Sequence, residues 1–369
     1  MIEQLEIKNF RGIEQFKIDN IGQVNLLVGT NNSGKTSILE AIRLLKSEGN
    51  SYDFLSVLLQ RGERIQKESD RRQIDGDLCR LFYGFELNST SNFSIKGGGE
   101  KQNEGISASV KEIPVQSEVF EKDPDFSGQY QFDIRWKKGN EEIHQDIPVS
   151  LDGGLSYDYI RRKLRLKAGP TKENNLEFVP TSSLSSHEVI ALFDRVILTP
   201  DEELVLDALR IIEPDITRLA SLGGGARYYP LRSGDYDRGG LFVKSSKWEK
   251  RIPIGSFGDG IWRLLGLILS LVGAKNGTLL VDEIDTGLHH TVMSKMWKLI
   301  CITAKKLNVQ VFATTHSSDC WKTLADNAVE DEFADMPIRI HRIDKNKIRP
   351  ETFTNTEMHL ALDQEIEVR

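Results

Sequence analysis

The chain predicts an α/β protein with a parallel sheet core, a β-rich insertion and a helical subdomain, and three observations carry that reading. The run Gly29-Thr30-Asn31-Asn32-Ser33-Gly34-Lys35-Thr36 satisfies G-x-x-x-x-G-K-[ST] between a strand pattern and a helix pattern. From Ile261 onward strand and helix patterns alternate, as parallel sheets require. Between these flanks, from Phe93 to about Val149, short alternating runs such as SNFSIKG, ISASVKEI and YQFDIRW are punctuated by Gly, Asn and Pro.

Taken in order, Leu5 to Phe10 and Phe16 to Ile18 read as strands, Val24 to Val28 as the strand entering the glycine-rich loop, and Ser37 to Leu45 as the helix leaving it. Ile38, Leu39, Ile42 and Leu45 recur there at helical spacing. After the insertion, Asn175 to Val179 is a strand, and Ser185 to about Leu222 returns to helical patterning through Val189, Leu192, Phe193, Leu204, Ala208, Leu209 and Ile212. The stretch GGGARYYPLRSGDYDRGG lacks apolar periodicity and reads as a loop. Helix Ile261 to Ala274, strand Thr278 to Val281, helix Val292 to Ala304, strand Gln310 to Thr314 and a hairpin around Lys345-Asn346 complete the chain. These patterns divide it into an N-terminal lobe (1–86), the insertion (87–184), a helical subdomain with its loop (185–250) and a C-terminal lobe (251–369). No internal repeat stands out, and no heptad run is long enough for a coiled-coil arm.

Hydrophobic residues at 39% and charged residues at 28% of the 369 positions describe an ordinary globular protein. A net charge of −7 and a pI near 5.7 give no overall basic field, so a nucleic acid contact would need a local patch. Cys79, Cys301 and Cys320 lie far apart, without CxxC spacing, which argues against a zinc site or disulfide framework and suits a reducing cytoplasm. The N-terminus carries acids where a signal peptide needs cations, and the most apolar segment, Ile261 to Ala274, is interrupted by Arg263 and too short to span a membrane. The expectation is a cytoplasmic protein with no membrane partner.

The chemistry of the loop is phosphate binding. Its residues Gly29, Asn31, Asn32, Ser33 and Gly34 bring backbone N–H groups toward phosphates, and the helix opening at Ser37 adds its positive end. Lys35 is placed to reach the outer phosphates and the Thr36 hydroxyl to ligate Mg2+. Further along, the apolar strand Thr278 to Val281 ends in Asp282 and Glu283, suited to hold magnesium and to polarise an attacking water. His316 follows the strand Gln310 to Thr314, at the edge where α/β sheets bind ligands. His289 and His290 have no such setting and read as surface or packing residues. The segment Ile254 to Gly260 reads by itself as a small-residue turn capping a helix, with Ser256 or Asp259 as the N-cap.

The order GTNNSGKTS, SFGDG, LLVDEIDTGLH and ATTHSS, with the opening Asn9-Phe10-Arg11-Gly12, resembles the ABC-type ATPase heads of the SMC, RecF and OLD proteins. Within that group it resembles the short AAA15-type ATPases found beside bacterial phage-defence genes, such as the ATPase subunit of the PARIS system. The resemblance covers roughly residues 1–50 and 195–369. It implies an ATPase using ATP and Mg2+, in which two protomers sandwich two nucleotides head to tail. Ser256, Gly258 and Gly260 would then act in trans, Asp285 would lie in the D-loop, and His316 would be the switch histidine. Arg11 is either close to the nucleotide or a surface arginine at a strand end. ATP is chosen over GTP by the resemblance alone. Two departures stand out: Phe257 replaces a glycine of the signature, and Pro180-Thr181-Ser182 stands where the Q-loop glutamine belongs. A threonine or serine there can reach magnesium through water.

Fewer than sixty residues follow His316, too few for the acid-rich nuclease (TOPRIM) domain of OLD proteins. The resemblance therefore implies a defence ATPase working with a separate nuclease or toxin subunit. Two alternatives stay open. One is a RecF-like repair ATPase binding DNA directly, for which Arg161 to Lys167, read as a strand with Lys163, Arg165 and Lys167 on one face, is the best candidate surface. The other is a nucleotide-regulated scaffold with negligible turnover.

Overall fold

The computed structural model describes residues 1–66, 74–99, 103–112, 130–150, 152–166, 175–221 and 240–368. In chain order, β1 (Gln4–Phe10) and β2 (Ile13–Ile18) form a hairpin, β3 (Val24–Val28) leads into the glycine-rich loop, and helices α1 (Lys35–Lys46) and α2 (Ser51–Gln60) follow. Short strands β4 (Arg64–Gln66) and β5 (Ile74–Asp77) precede the long strands β6 (Asn92–Gly98), β7 (Glu104–Glu112), β8 (Tyr130–Lys138) and β9 (Glu141–Pro148). Next come β10 (Gly154–Ser156), α3 (Tyr157–Leu166), β11 (Leu176–Val179), α4 (Ser186–Val196), α5 (Glu202–Ile212), β12 (Ile216–Ser221), β13 (Leu241–Ser245) and β14 (Ile252–Pro253). The last part holds α6 (Asp259–Gly273), β15 (Thr278–Val281), α7 (His290–Leu307), β16 (Gln310–Thr314), α8 (Ser318–Ala328), β17 (Ile338–Arg342), β18 (Glu351–Phe353) and α9 (Asn355–Asp363).

These elements fall into two compact units. The first comprises Met1–Ile21, Asn32–Asn174 and Ile343–Pro350. Its main sheet is antiparallel in the order β2-β1-β6-β7-β8-β9, so the N-terminal hairpin and the β-rich middle form one layer. The expected boundary at residue 86 falls inside this unit. The apolar face of α1 (Ile38, Leu39, Ile42, Leu45) is buried, and the Trp136 indole on β8 donates to the Leu45 carbonyl at 3.0 Å. Phe10, Phe54, Phe82, Phe93 and Phe132 fill the centre, with Phe10 edge-on to Phe93 at 5.2 Å and Phe54 to Phe132 at 5.5 Å. Such pairs add to plain area burial.

One expectation fails here. The run from Arg161, expected as a cationic strand, lies in helix α3, so Lys163 and Arg165 do not alternate across a strand; Lys167 lies outside the described residues. Ile160 is fully buried, and the Ser156 hydroxyl accepts the Tyr159 N–H at 3.4 Å at the helix start.

The second unit comprises Gly22–Asn31, Asn175–Arg342 and Glu351–Arg369. Its sheet runs β11-β15-β16-β3-β17-β18. All neighbours up to β17 pair in parallel, and only β18 is antiparallel, completing the expected C-terminal hairpin. β3, β15 and β16 are buried at every position. That explains their largely apolar make-up, because a parallel strand covered on both faces has no solvent side; the polar Asn25, Thr278, Gln310 and Thr314 are buried with the rest. Helices α4, α5, α6, α7 and α8 supply the rest of the core, including the buried Trp262, Trp297 and Trp321. The glycine-rich loop expected after Leu222 lies outside the described residues up to 239. No described helix is long and apolar enough to cross a membrane.

Candidate functional site

Four adjacent parallel strands of the second unit end at one edge. Thr181 follows β11, Asp282 and Glu283 follow β15, Thr315 and His316 follow β16, and Gly29 follows β3. This is the carboxyl edge at which open α/β sheets bind ligands. The order of strands therefore gathers residues that are far apart in sequence.

Asp282 is held on both oxygens. Its Oδ1 accepts the Thr314 hydroxyl at 2.7 Å, and its Oδ2 accepts the Thr181 hydroxyl at 3.0 Å. Thr181, standing in the place of the expected glutamine, thus reaches the carboxylate itself. The Thr314 oxygen also accepts the Glu283 N–H at 2.8 Å, so one buried hydroxyl joins both acidic residues. Glu283 has φ +48°, a left-handed conformation that costs a side-chain-bearing residue about 1–2 kcal/mol. Its side chain is half-buried, with Oε1 at 4.0 Å from the His316 Nε2 and Oε2 accepting the Thr286 hydroxyl at 3.3 Å. Thr315 donates to Asp285 at 2.5 Å, which ties the strand carrying His316 to the turn after β15.

Arg263 completes this arrangement from α6. It is 1% exposed, and its Nη1 donates to the Pro180 carbonyl at 2.6 Å while Nη2 donates to the carbonyls of Asp282 and Glu283 at 2.8 and 2.9 Å. Burial pulls its pKa down to about 10 against the opposing pull of Asp282, Asp285 and Glu283, so it remains a cation at neutral pH. From the sequence Arg263 is only an interruption in an apolar helix. A cation inside such a run, and the hydroxyls of the Ala-Thr-Thr end of β16, are the signals that could have found this network.

The phosphate loop has its own local geometry. Gly29 (φ +144°), Asn32 (φ +60°) and Gly34 (φ +97°) all take positive φ, a conformation that glycine and asparagine adopt at least cost. α1 begins directly afterwards at Lys35, whose ammonium lies 3.3 Å from the Ser33 hydroxyl. Asn31 and Asn32 are exposed, Thr36 is half-buried, and Ser37 is buried within α1. Arg11 is neither on the surface nor turned outward: it is 2% exposed and engages Glu40 at 2.7 Å and both oxygens of Glu63 at 2.8 and 2.9 Å. Its guanidinium fastens α1, and the surface-arginine reading is corrected by that burial.

The segment Ile254–Phe257 forms a 3-10 turn, and Gly258 (φ +86°), not Ser256 or Asp259, caps α6. Nothing lies within 4 Å of a side chain at Gly258, so its glycine serves the backbone conformation, whereas a Cβ at Gly260 would stand 3.1 Å from the Gly287 carbonyl. Ser256 is exposed. His289 and His290 are exposed too, with His289 capping α7 through the Thr291 N–H.

The donors a cation would find at this edge are oxygens: the Asp282 carboxylate, whose oxygens keep acceptor capacity after taking one hydroxyl each, beside the Thr181 and Thr314 hydroxyls. That donor set suits magnesium better than a soft metal. Asp133, His144 and Asp146 also converge, but Lys111 and Arg135 already bridge to the Asp133 carboxylate and hold its pKa down to about 2 despite burial. This is a cross-strand charge cluster of β7, β8 and β9.

The chain is similar to several known proteins. An "ATP/GTP phosphatase" of Helicobacter pylori is 23% identical over 365 residues, covering 90% of each chain. The DNA replication and repair protein RecF of Vibrio campbellii is 33% identical over 120 residues, 31% of this chain and 32% of its own; this chain thus spans about a third of that protein. A solved Smc head domain with an extended coiled coil, bound to the C-terminal domain of ScpA from Pyrococcus furiosus, superposes with a TM-score of 0.46 at 13% identity, covering 99% of both chains. Residues 24–319, from β3 to just past His316, match a single family profile, and the chain belongs to that family, described as "AAA domain, putative AbiEii toxin, Type IV TA system".

Proposed function

We propose that this protein binds and hydrolyses ATP with Mg2+ in a head-to-tail dimer, as the regulatory ATPase of a bacterial defence system whose nuclease or toxin is a separate subunit. The observation that carries the ATPase reading is the fixed pair Asp282–Glu283, clamped by Thr181, Thr314 and Arg263 at the edge that also carries His316. Magnesium, when bound, supplies charge neutralisation for the phosphates. In this reading the loop amides and Lys35 hold the phosphates, and Thr36 and Asp282 are the metal's protein ligands. Glu283 orients the attacking water and accepts its proton, while His316 faces the developing charge. Ser256, Gly258 and Gly260 close over the partner's nucleotide, and Asp285 lines the same junction.

The regulatory role draws on the resemblance to phage-defence ATPases; the family description itself names a "putative AbiEii toxin, Type IV TA system". The name of the Helicobacter pylori relative supports nucleotide hydrolysis. Phosphate release from ATP is the direct test: Glu283→Gln should bind ATP and hydrolyse it at least a hundredfold more slowly. Affinity purification of that variant from its host with ATP and magnesium should retain a nuclease-like or toxin-like subunit. Recovery of DNA with repair proteins would replace the defence reading with a repair one.

A further inference from the structure

We infer that Arg263 is a positioning residue that couples the catalytic carboxylate of a protomer to the signature segment the same protomer presents to its partner. The inference rests on the head-to-tail reading above and adds to it a route between the two nucleotide sites. Ser256, Gly258 and Gly260 lie at or just before the start of α6, and Arg263 lies one turn beyond Gly260 on the same rigid helix.

The contacts of Arg263 are unusual for a buried cation. Its described hydrogen bonds reach three backbone carbonyls and the Ser183 hydroxyl at 3.5 Å, and no carboxylate oxygen among them. A guanidinium is a planar fork with fixed donor directions, so holding Pro180, Asp282 and Glu283 together sets the orientation of those peptides. Carbonyl contacts cannot be replaced by moving a side chain; they move only with the backbone. The Asp282–Glu283 peptide is thus held at both ends, its N–H by Thr314 and its C=O by Arg263, which also holds the Glu283 C=O, and Glu283 is kept in a left-handed conformation. A conformation of that cost persists only where its surroundings over-determine it.

A second contact ties the same helix to the same turn. The Cα of Gly260 approaches the Gly287 carbonyl so closely that a Cβ would stand at 3.1 Å, and Gly287 itself takes φ +75°. The start of α6 therefore bears on the turn that carries Glu283 and Asp285 at two points, Gly260 and Arg263. A shift of α6 when the signature engages a partner's nucleotide is passed to the Glu283 backbone through these two contacts. Closure of one site then adjusts the carboxylate of the other.

The test compares the wild type with Arg263→Lys, which keeps the charge but loses the fork. Sedimentation measures ATP-dependent dimerisation, steady-state assays give kcat and KM, and amide exchange follows residues 254–262 and 280–288 with and without ATP and magnesium. Arg263→Lys should keep KM within threefold, lower kcat at least tenfold, and break the parallel change in protection that both segments show in the wild type. A folded Arg263→Lys with unchanged kcat and parallel exchange would overturn the inference while leaving the proposed function intact. Absence of ATP-dependent dimerisation in the wild type would overturn the proposed function, and the inference with it. Should Arg263→Lys fail to fold, exchange in the wild type alone decides: protection rising at 254–262 without any change at 280–288 overturns the coupling.

Discussion

Replacing Thr314 by Val removes one hydroxyl and changes nothing else of comparable size. In the wild type Thr314 is 1% exposed, and its hydroxyl oxygen accepts the Glu283 N–H at 2.8 Å and donates to Asp282 at 2.7 Å. The valine leaves a buried N–H without its acceptor, a loss of about 1–3 kcal/mol, and removes a hydrogen bond to a charged group, about 1.5–3 kcal/mol. The two losses share one oxygen and overlap, so the expected destabilisation of the second unit is about 3 kcal/mol. Urea unfolding followed by tryptophan fluorescence reports on this unit through Trp262, Trp297 and Trp321. Thr314→Ser keeps the hydroxyl and should stay within about 1 kcal/mol of the wild type, the scale of losing one methyl group. Turnover should follow the same order, with Thr314→Val at least tenfold below Thr314→Ser. Equal midpoints and equal turnover for the valine and serine variants would refute the bridging role.

Two further predictions concern charge. His341 is fully buried, its ring nitrogens facing Thr352 at 2.9 Å and Asn25 at 3.2 Å, and burial lowers its pKa to about 3. A histidine depressed from 6.5 is neutral when folded, so the unfolded chain takes up the proton first: its contribution is complete above pH 6.5 and is lost as pH falls toward 3, at up to about 1.4 kcal/mol per pH unit. The wild type should therefore lose about 2 kcal/mol more than His341→Gln between pH 6.5 and 5, and parallel stability profiles would contradict this. Glu40 is buried between Arg11 and Arg61, with burial raising its pKa against the pull of both arginines. Glu40→Gln should cost about 3 kcal/mol and loosen α1, a change that unfolding of the first unit by near-ultraviolet dichroism would register; a cost below about 1 kcal/mol would place the structural load on Glu63 instead.

Much of the second unit is legible in its sequence because its central strands are buried on both faces. Val24 to Val28 and Thr278 to Val281 carry no internal alternation, and each ends where chemistry begins, at Gly29 and at Asp282. The same logic fails for short segments. In Arg161 to Lys167 a period of two and a period near 3.6 fit seven residues almost equally, and the described part, to Leu166, is helical. Long-range pairing leaves no local trace either: β1 lies against β6 through Ile7 and Ile95, which joins two segments that composition separates. Arg11 reads as a strand-end arginine because Glu40 and Glu63, which bury its charge, come from elsewhere in the chain. The network around Asp282 is hidden for the same reason. Thr181, Arg263 and Thr314 are ordinary residues until parallel strand order brings them to one carboxylate and its neighbouring peptides.

The central claim is hydrolysis of ATP through Glu283, and a single set of measurements tests it most directly: phosphate release and ATP binding by the wild type, Lys35→Ala and Glu283→Gln in the presence of magnesium. The account predicts steady release by the wild type, loss of ATP binding in Lys35→Ala, and retained binding with at least a hundredfold slower release in Glu283→Gln. Hydrolysis by Glu283→Gln at the wild-type rate would contradict it.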